Sequence, residues 1–215
     1  MSPYNLSVEV SNMQIPEWVE IANKLATPAI GAVSAFYVFL QYRRTQKWKS
    51  KDLAATLVEK LSIDQSLSLA CQALDWGVGP LIIPEEYREL FRSEGLSYLP
   101  GVMQHDPMVL CVAVKPRLDP STLKDPRGLV YRNCFIKLFD HLETISKLLD
   151  NGQIELSDLQ GLDYWLNSIR DYIYSPDGIN SKRVFGPTII SWGYSGVFEL
   201  AKKRGIVNWE FNPDA

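Results

Sequence analysis

Two histidines and three cysteines are all the imidazole and thiol that this sequence offers. Cys71, Cys111 and Cys134 are an odd number without CxxC spacing, which excludes a disulfide framework and a zinc knuckle and predicts reduced, mostly buried thiols. His105 stands beside Asp106, and His141 lies two residues before Glu143. Neither has a second imidazole at helical metal spacing, and no serine or cysteine pattern joins them in a triad, so structural roles are expected for both. Charge of one sign is not in excess either. The 22 basic and 25 acidic residues leave a net charge of −3, which argues against a nucleic-acid partner. Internal repeats and low-complexity segments are absent.

Local catalytic signatures are lacking as well. Gly77-Val78-Gly79-Pro80 has neither the third glycine nor the following Lys-Ser/Thr of a phosphate loop, and Pro80 removes an N–H that would face phosphate. Gly193-Tyr194-Ser195-Gly196 resembles a nucleophile elbow only in part, because Val197 stands where G-x-S-x-G needs glycine. Helix packing through small residues accounts for these glycines better. Around Asp150-Asn151-Gly152, a calcium loop would need oxygen ligands where Lys147 and Leu149 stand, so the segment reads as a turn between helices. No catalytic, cofactor-binding or metal-ligating residues are assigned on sequence grounds, and no cofactor is implied. Asp75-Trp76, with Glu143, is marked as the pocket where carboxylates from distant positions would converge in an enzyme; core packing is the plainer reading of Asp75-Trp76 and of Tyr164-Trp165.

What is present is a charge-free run. Between Lys24 and Arg43 lie eighteen residues, LATPAIGAVSAFYVFLQY, long enough as a helix to cross a bilayer core at ~1.5 Å per residue. Gly31, Ala32, Ser34 and Ala35 give it a small-residue face suited to helix association, and Pro28 falls in its first turn. Basic charge concentrates just behind it. Residues 43–60 hold six basic side chains against two acidic ones, whereas residues 1–24 carry three acidic and one basic. By the positive-inside rule this predicts a single transmembrane helix at 25–42, an extracytoplasmic tail at 1–24, a basic juxtamembrane helix at 43–61 and a cytoplasmic helical domain at 62–215, in a cell inner membrane. Trp18, Tyr42, Arg43, Arg44, Lys47 and Trp48 are the expected membrane-interface residues, with lipid headgroups as partners of the basic stretch. A core helix of a soluble protein is the competing reading, since Thr27, Ser34 and Gln41 make the run only moderately apolar.

The remainder reads as mainly α. Leu53, Leu57, Val58 and Leu61 continue a helix from the run, and Asp64 is placed to cap a second helix through Leu74. Pro84 opens a short helix to about Arg92. Residues 95–128 are punctuated by prolines, and either a helix begun at Pro107 or a strand over Val109–Val114 fits. Phe135, Leu138, Leu142, Ile145 and Leu149 form one amphipathic stripe; Leu159, Leu162, Leu166, Ile169 and Ile173 form another, with Ser157 as its cap. The two predict a long antiparallel helical hairpin. A last helix is expected over Thr188–Lys203, ended by Gly205.

The stretches FYVFLQYRRTQKWKSKDLAATLVEKL and YRNCFIKLFDHLETISKLLDNGQI give the chain a layout similar to that of uncharacterised bacterial single-span membrane proteins with a helical cytoplasmic domain. The resemblance implies topology and carries no activity. The function expected on these grounds is a membrane-tethered interaction module or accessory subunit, with a cytoplasmic or membrane protein as partner and homo-oligomerisation open. The alternatives are a membrane-associated enzyme or a stress- or phage-defence effector, and a soluble helical protein.

Overall fold

The computed structural model describes residues 17–75, 79–93, 101–117, 124–174, 182–206 and 209. Its first compact unit, Met1–Trp48, consists among those residues of the first part of a single helix, α1, which runs from Glu17 to Ile63. At ~1.5 Å per residue its 47 residues extend ~70 Å. Pro28 therefore sits well inside a helix and not in a first turn, where it removes the amide that would bond the carbonyl of Lys24.

The expected transmembrane helix is not found. No helix among the described residues is both long and apolar enough to cross a membrane. The charge-free run is only moderately apolar, with Thr27, Pro28, Gly31, Ser34, Tyr37, Gln41 and Tyr42 among its eighteen residues. The fold class is thus corrected from a single-pass membrane protein to a mainly helical chain with no such span among the described residues. Residues 1–16 of the expected extracytoplasmic tail lie outside the described residues.

The second unit, Lys49–Ala215, is built around α5 (Pro126–Asp150). The heptad-like stripe on α5 is buried up to Ile145, with Leu149 half-buried: Phe135, Leu138, Leu142 and Ile145 are inaccessible, joined by Tyr131, Cys134 and Phe139. Around it pack α2 (Gln65–Asp75), α4 (Pro107–Ala113) and α8 (Ser195–Lys203). The expected hairpin partner of α5, helix α6 (Leu162–Asp171), is set instead mainly against α2 and α7 (Phe185–Ser191). It is also shorter than its stripe. Gly161, at φ 86°, forms its start, Ser157 belongs to a separate 3-10 turn at Leu156–Asp158, and Ile173 has left the helix for a strand and is exposed. A stripe states which face of a helix is buried; it does not state against what.

Capping explains where the helices begin. Asp64 Oδ1 accepts the amides of Ser66 and Leu67 at 2.9 and 3.1 Å, as expected of a residue opening α2. Two Asp-Pro pairs work in the same way. Asp106 accepts the amides of Met108 and Val109 with Pro107 first in α4, and Asp125 accepts that of Arg127 with Pro126 first in α5. The helical option at Pro107 therefore holds over the strand. The Arg127 guanidinium joins both caps, at 2.7 Å from Asp125 and 3.3 Å from Asp106.

Small pieces complete the unit. Strands β1 (Pro80–Ile82) and β2 (Val102–Gln104) pair antiparallel with Leu81 opposite Met103, both buried; β3 (Ile173–Tyr174) pairs with β4 (Lys182–Arg183). A 3-10 turn at Glu85–Tyr87 leads from Pro84 into α3 (Arg88–Ser93). The helix expected over 188–203 is broken in two. Gly193 turns at φ 83°, its amide bonds the Ile190 carbonyl and that of Tyr194 bonds Ile189, ending α7 before α8 begins.

Candidate functional site

The first candidate is the exposed part of α1. Every described side chain from Pro28 to Lys49 is exposed, and among them are Ile30, Val33, Phe36, Tyr37, Val38, Phe39, Leu40 and Tyr42. Phe36 is 63% exposed and Trp48 74%. At 100° per residue these positions leave no polar face over Ile30–Leu40 wide enough to define a solvent side, and a helix apolar all round is normally a buried one. The patch exceeds the scattered apolar exposure usual on a monomer's surface. Arg43 lies over the Phe39 ring at 5.8 Å, and Thr45 donates to the Gln41 carbonyl at 2.9 Å, so the basic end of the run is tied back along its own helix.

The residues expected at a membrane interface are thereby placed. Tyr42, Arg43, Arg44, Lys47 and Trp48 are exposed on α1 directly after the apolar run, and Trp18 lies in the second residue of the same helix. Tyr42, Arg43, Arg44, Lys47 and Trp48 form the basic and aromatic border of the exposed apolar run.

Two members of the expected pocket, Asp75 and Glu143, bond different neighbours. Asp75 accepts the hydroxyl proton of Tyr164, from α6, while Glu143 on α5 accepts the amide of Gly196 at 2.7 Å and lies 3.7 Å from Lys147. Each carboxylate serves a different neighbour. Trp76 lies outside the described residues. The Gly196 contact was not foreseen: a Cβ there would come within 2.5 Å of the Glu143 carboxylate, so glycine is what lets the carboxylate reach the first turn of α8.

A polar cleft of about 310 Å³ is lined by Asp64, Ser66, Glu86 and Lys137 with their neighbours. Ser66 Oγ donates to Glu86 at 2.8 Å and accepts from Lys137 at 3.2 Å, and Lys137 is 2.5 Å from Glu86. The ammonium and hydroxyl beside Glu86 hold its carboxyl below the usual carboxylate range. Serine next to lysine invites comparison with a hydrolytic dyad. Here the lysine is occupied by the carboxylate and the serine is nearly inaccessible, so the trio works as a clamp between α2, α5 and the turn at Glu85–Tyr87.

Both histidines are buried. Tyr131 hydroxyl accepts the Asp106 amide at 3.1 Å and bonds His105 Nδ1 at 2.7 Å, while His105 Nε2 is buried without a hydrogen-bond partner among the described residues. His141 Nε2–H donates to the Leu57 carbonyl at 2.8 Å, fastening α5 to the end of α1. Burial disfavours the imidazolium and lowers both pKa values from 6.5; Asp106 opposes this at His105, and the Leu57 carbonyl and Asp64 oppose it at His141, where Lys60 adds to it. In the unfolded chain these rings bind protons as pH falls through about 6.5, before the folded protein does, so stability is full above that value and declines below it. The urea midpoint is therefore expected to fall between pH 6.5 and 5. Carboxylates of lowered pKa contribute only at more acid values. Replacing both histidines with glutamine is expected to flatten that limb, whatever it does to the absolute midpoint; an unchanged slope would contradict the assignment.

The three thiols are free. Cys71 and Cys134 are buried and Cys111 is half-buried, and burial pushes all three pKa values up to about 12, which makes them poor nucleophiles.

Fold and surface together define a class: a mainly α-helical chain that carries a long helix with an exposed, all-round apolar segment. Comparison with known proteins finds no matching family model, no similar curated protein and no similar solved structure.

Proposed function

We propose that this protein is a helical interaction module, and that the Pro28–Tyr42 part of α1 is its docking element for a helix of another protein chain. The observation that carries this is the exposure of Ile30, Val33, Phe36, Phe39 and Leu40 on an ordered helix. Burying one such side chain is worth ~1.5–3 kcal/mol, so a helix left bare over this length has strong reason to associate. A helical partner suits the surface better than a flat one. Ala29, Gly31, Ala32 and Ala35 let a second backbone come close, while the phenyl rings supply the large buried area that anchors interfaces. The basic residues 43–51 would then sit at the polar rim, where charge sets the rate and the register of association more than its strength.

The test is the native mass of the full chain in a gently prepared cell extract, compared with that of a Phe36→Glu/Phe39→Glu variant. The wild-type chain is expected in an assembly heavier than its own 24.4 kDa and the variant at the monomer position. Equal masses for the two would remove α1 as a docking element.

A further inference from the structure

We infer that His105 and Tyr131 form a latch that fastens the start of α4 to α5 and that acid releases. It is independent of what docks on α1. The hydrogens around one hydroxyl group fix the arrangement. Tyr131 is inaccessible to solvent, and among the described residues its oxygen meets two groups, the Asp106 amide at 3.1 Å and His105 Nδ1 at 2.7 Å. An amide N–H donates, so the oxygen accepts there and its single hydrogen is left for Nδ1. Nδ1 is then an acceptor, and the neutral imidazole carries its proton on Nε2. The opposite tautomer would leave two groups idle, the Nε2 lone pair and the Tyr131 hydrogen, where this one leaves only the Nε2–H. The bonding is thus directional, from the Asp106 amide to Tyr131 and from Tyr131 to His105.

Three segments are joined in this way. His105 follows β2, and its own amide bonds the Gly79 carbonyl at 2.8 Å. Asp106 caps α4, and Tyr131 stands in the second turn of α5, its ring edge-on to the imidazole with centroids 5.7 Å apart. An added proton undoes the middle of the chain. Imidazolium has an N–H at both ring nitrogens and accepts at neither, so Nδ1–H and the Tyr131 hydrogen would point at one another. The hydroxyl would have to turn and lose its acceptor. The new charge would also be enclosed, since His105 is 2% exposed. Asp106 favours the charged ring, but its oxygens are engaged by the Met108 and Val109 amides and by Arg127, which Asp125 also holds. Tyr131 and Cys111, the other titratable groups at this junction, are kept neutral by burial. Opening of α4 returns the ring to its ordinary proton affinity near pH 6.5, so the closed form is fully held above that value and loses ground below it. Release bares Leu110 and Ala113, both inaccessible in the closed form, and the part of α5 beneath them.

Nitrogen-15 spectra of the full-length His141→Gln chain, in which His105 is the one imidazole left, read the tautomer directly. At pH 7.5 the proton is expected on Nε2; a proton on Nδ1 overturns the inference. The difference between wild-type and His105→Asn spectra gives the same reading if His141→Gln does not fold. Hydrogen exchange reads the release. After correction for intrinsic rates, opening of the 108–114 amides in the His141→Gln chain is expected to rise roughly fivefold or more from pH 7.5 to pH 5, as for one group whose proton affinity recovers on opening. At pH 5 these amides are expected to open well ahead of those at Leu138–Leu142 in α5. Adding His105→Asn, which removes the titrating ring and keeps a side-chain acceptor for Tyr131, is expected to make the opening indifferent to pH over this range. An equal rise in that variant would assign the effect to another group and overturn the latch. Joint opening of α4 and α5 would make it general unfolding and overturn it as well.

Discussion

Phe139→Ala is expected to lower stability by about 3–5 kcal/mol, the range for removing a large aromatic side chain from a closed core. Phe139 is inaccessible to solvent, and its ring lies 6.0 Å from Phe135, 6.0 Å from Phe185, 6.1 Å from Trp192 and 5.7 Å from Tyr194. Those partners come from α5 itself, from α7 and from the turn that separates α7 from α8. One side chain therefore holds three segments that the backbone ladder does not join. The vacated space cannot collapse easily, because Phe135 and Phe185 are already stacked at 4.7 Å. Domains of this size are commonly stable by only ~5–15 kcal/mol, so the loss is a large share of the total. Urea unfolding followed by circular dichroism measures it, with Ile63→Ala, an exposed position, expected within about 0.5 kcal/mol of wild type. A loss below ~1 kcal/mol for Phe139→Ala would contradict the packing described.

Gly196→Ala is expected to cost about 1–2 kcal/mol, although alanine is the better helix former. The added methyl would stand 2.5 Å from Glu143 Oε2, so the carboxylate has to withdraw and give up its bond to the Gly196 amide. That bond satisfies an orphan donor at the start of α8 and places negative charge at the positive end of the helix, an arrangement of the same worth as an N-cap. Glu143→Ala is expected to cost a similar amount. Since both changes remove one interaction, the double variant is expected to lose no more than either single one, a coupling of about 1 kcal/mol. Simple addition of the two losses would show that Gly196 and Glu143 act independently.

These two positions differ in how far the sequence announces them. The stripe through Phe135, Leu138 and Leu142 marks α5 as the central helix, and Asp64 and Pro107 mark helix starts, because periodicity and capping are local chemistry that the chain carries in its own order. What the stripes do not contain is a partner. Both hydrophobic faces were consistent with a hairpin, yet α5 is enclosed by α2, α4 and α8, since burial rewards area and not sequence neighbourhood. Gly161 and Gly193 decide where α6 starts and α7 stops through positive φ, which hydrophobic periodicity does not announce. Two- and three-residue strands are too short for an alternation to be read. At α1 the charge-free run and its acidic and basic flanks were plain from the start, but an all-round apolar helix satisfies lipid and protein alike. No helix among the described residues is long and apolar enough to cross a membrane.

The central claim, that the apolar part of α1 is covered by protein, is tested most directly by a photo-reactive amino acid placed in turn at Val33, Phe36 and Phe39 of the full chain in living cells, with Thr144 on the exposed side of α5 as control. Irradiation is expected to give discrete protein-sized adducts from the three α1 positions and none from Thr144. Adducts to lipid alone, or none from α1, would contradict the account.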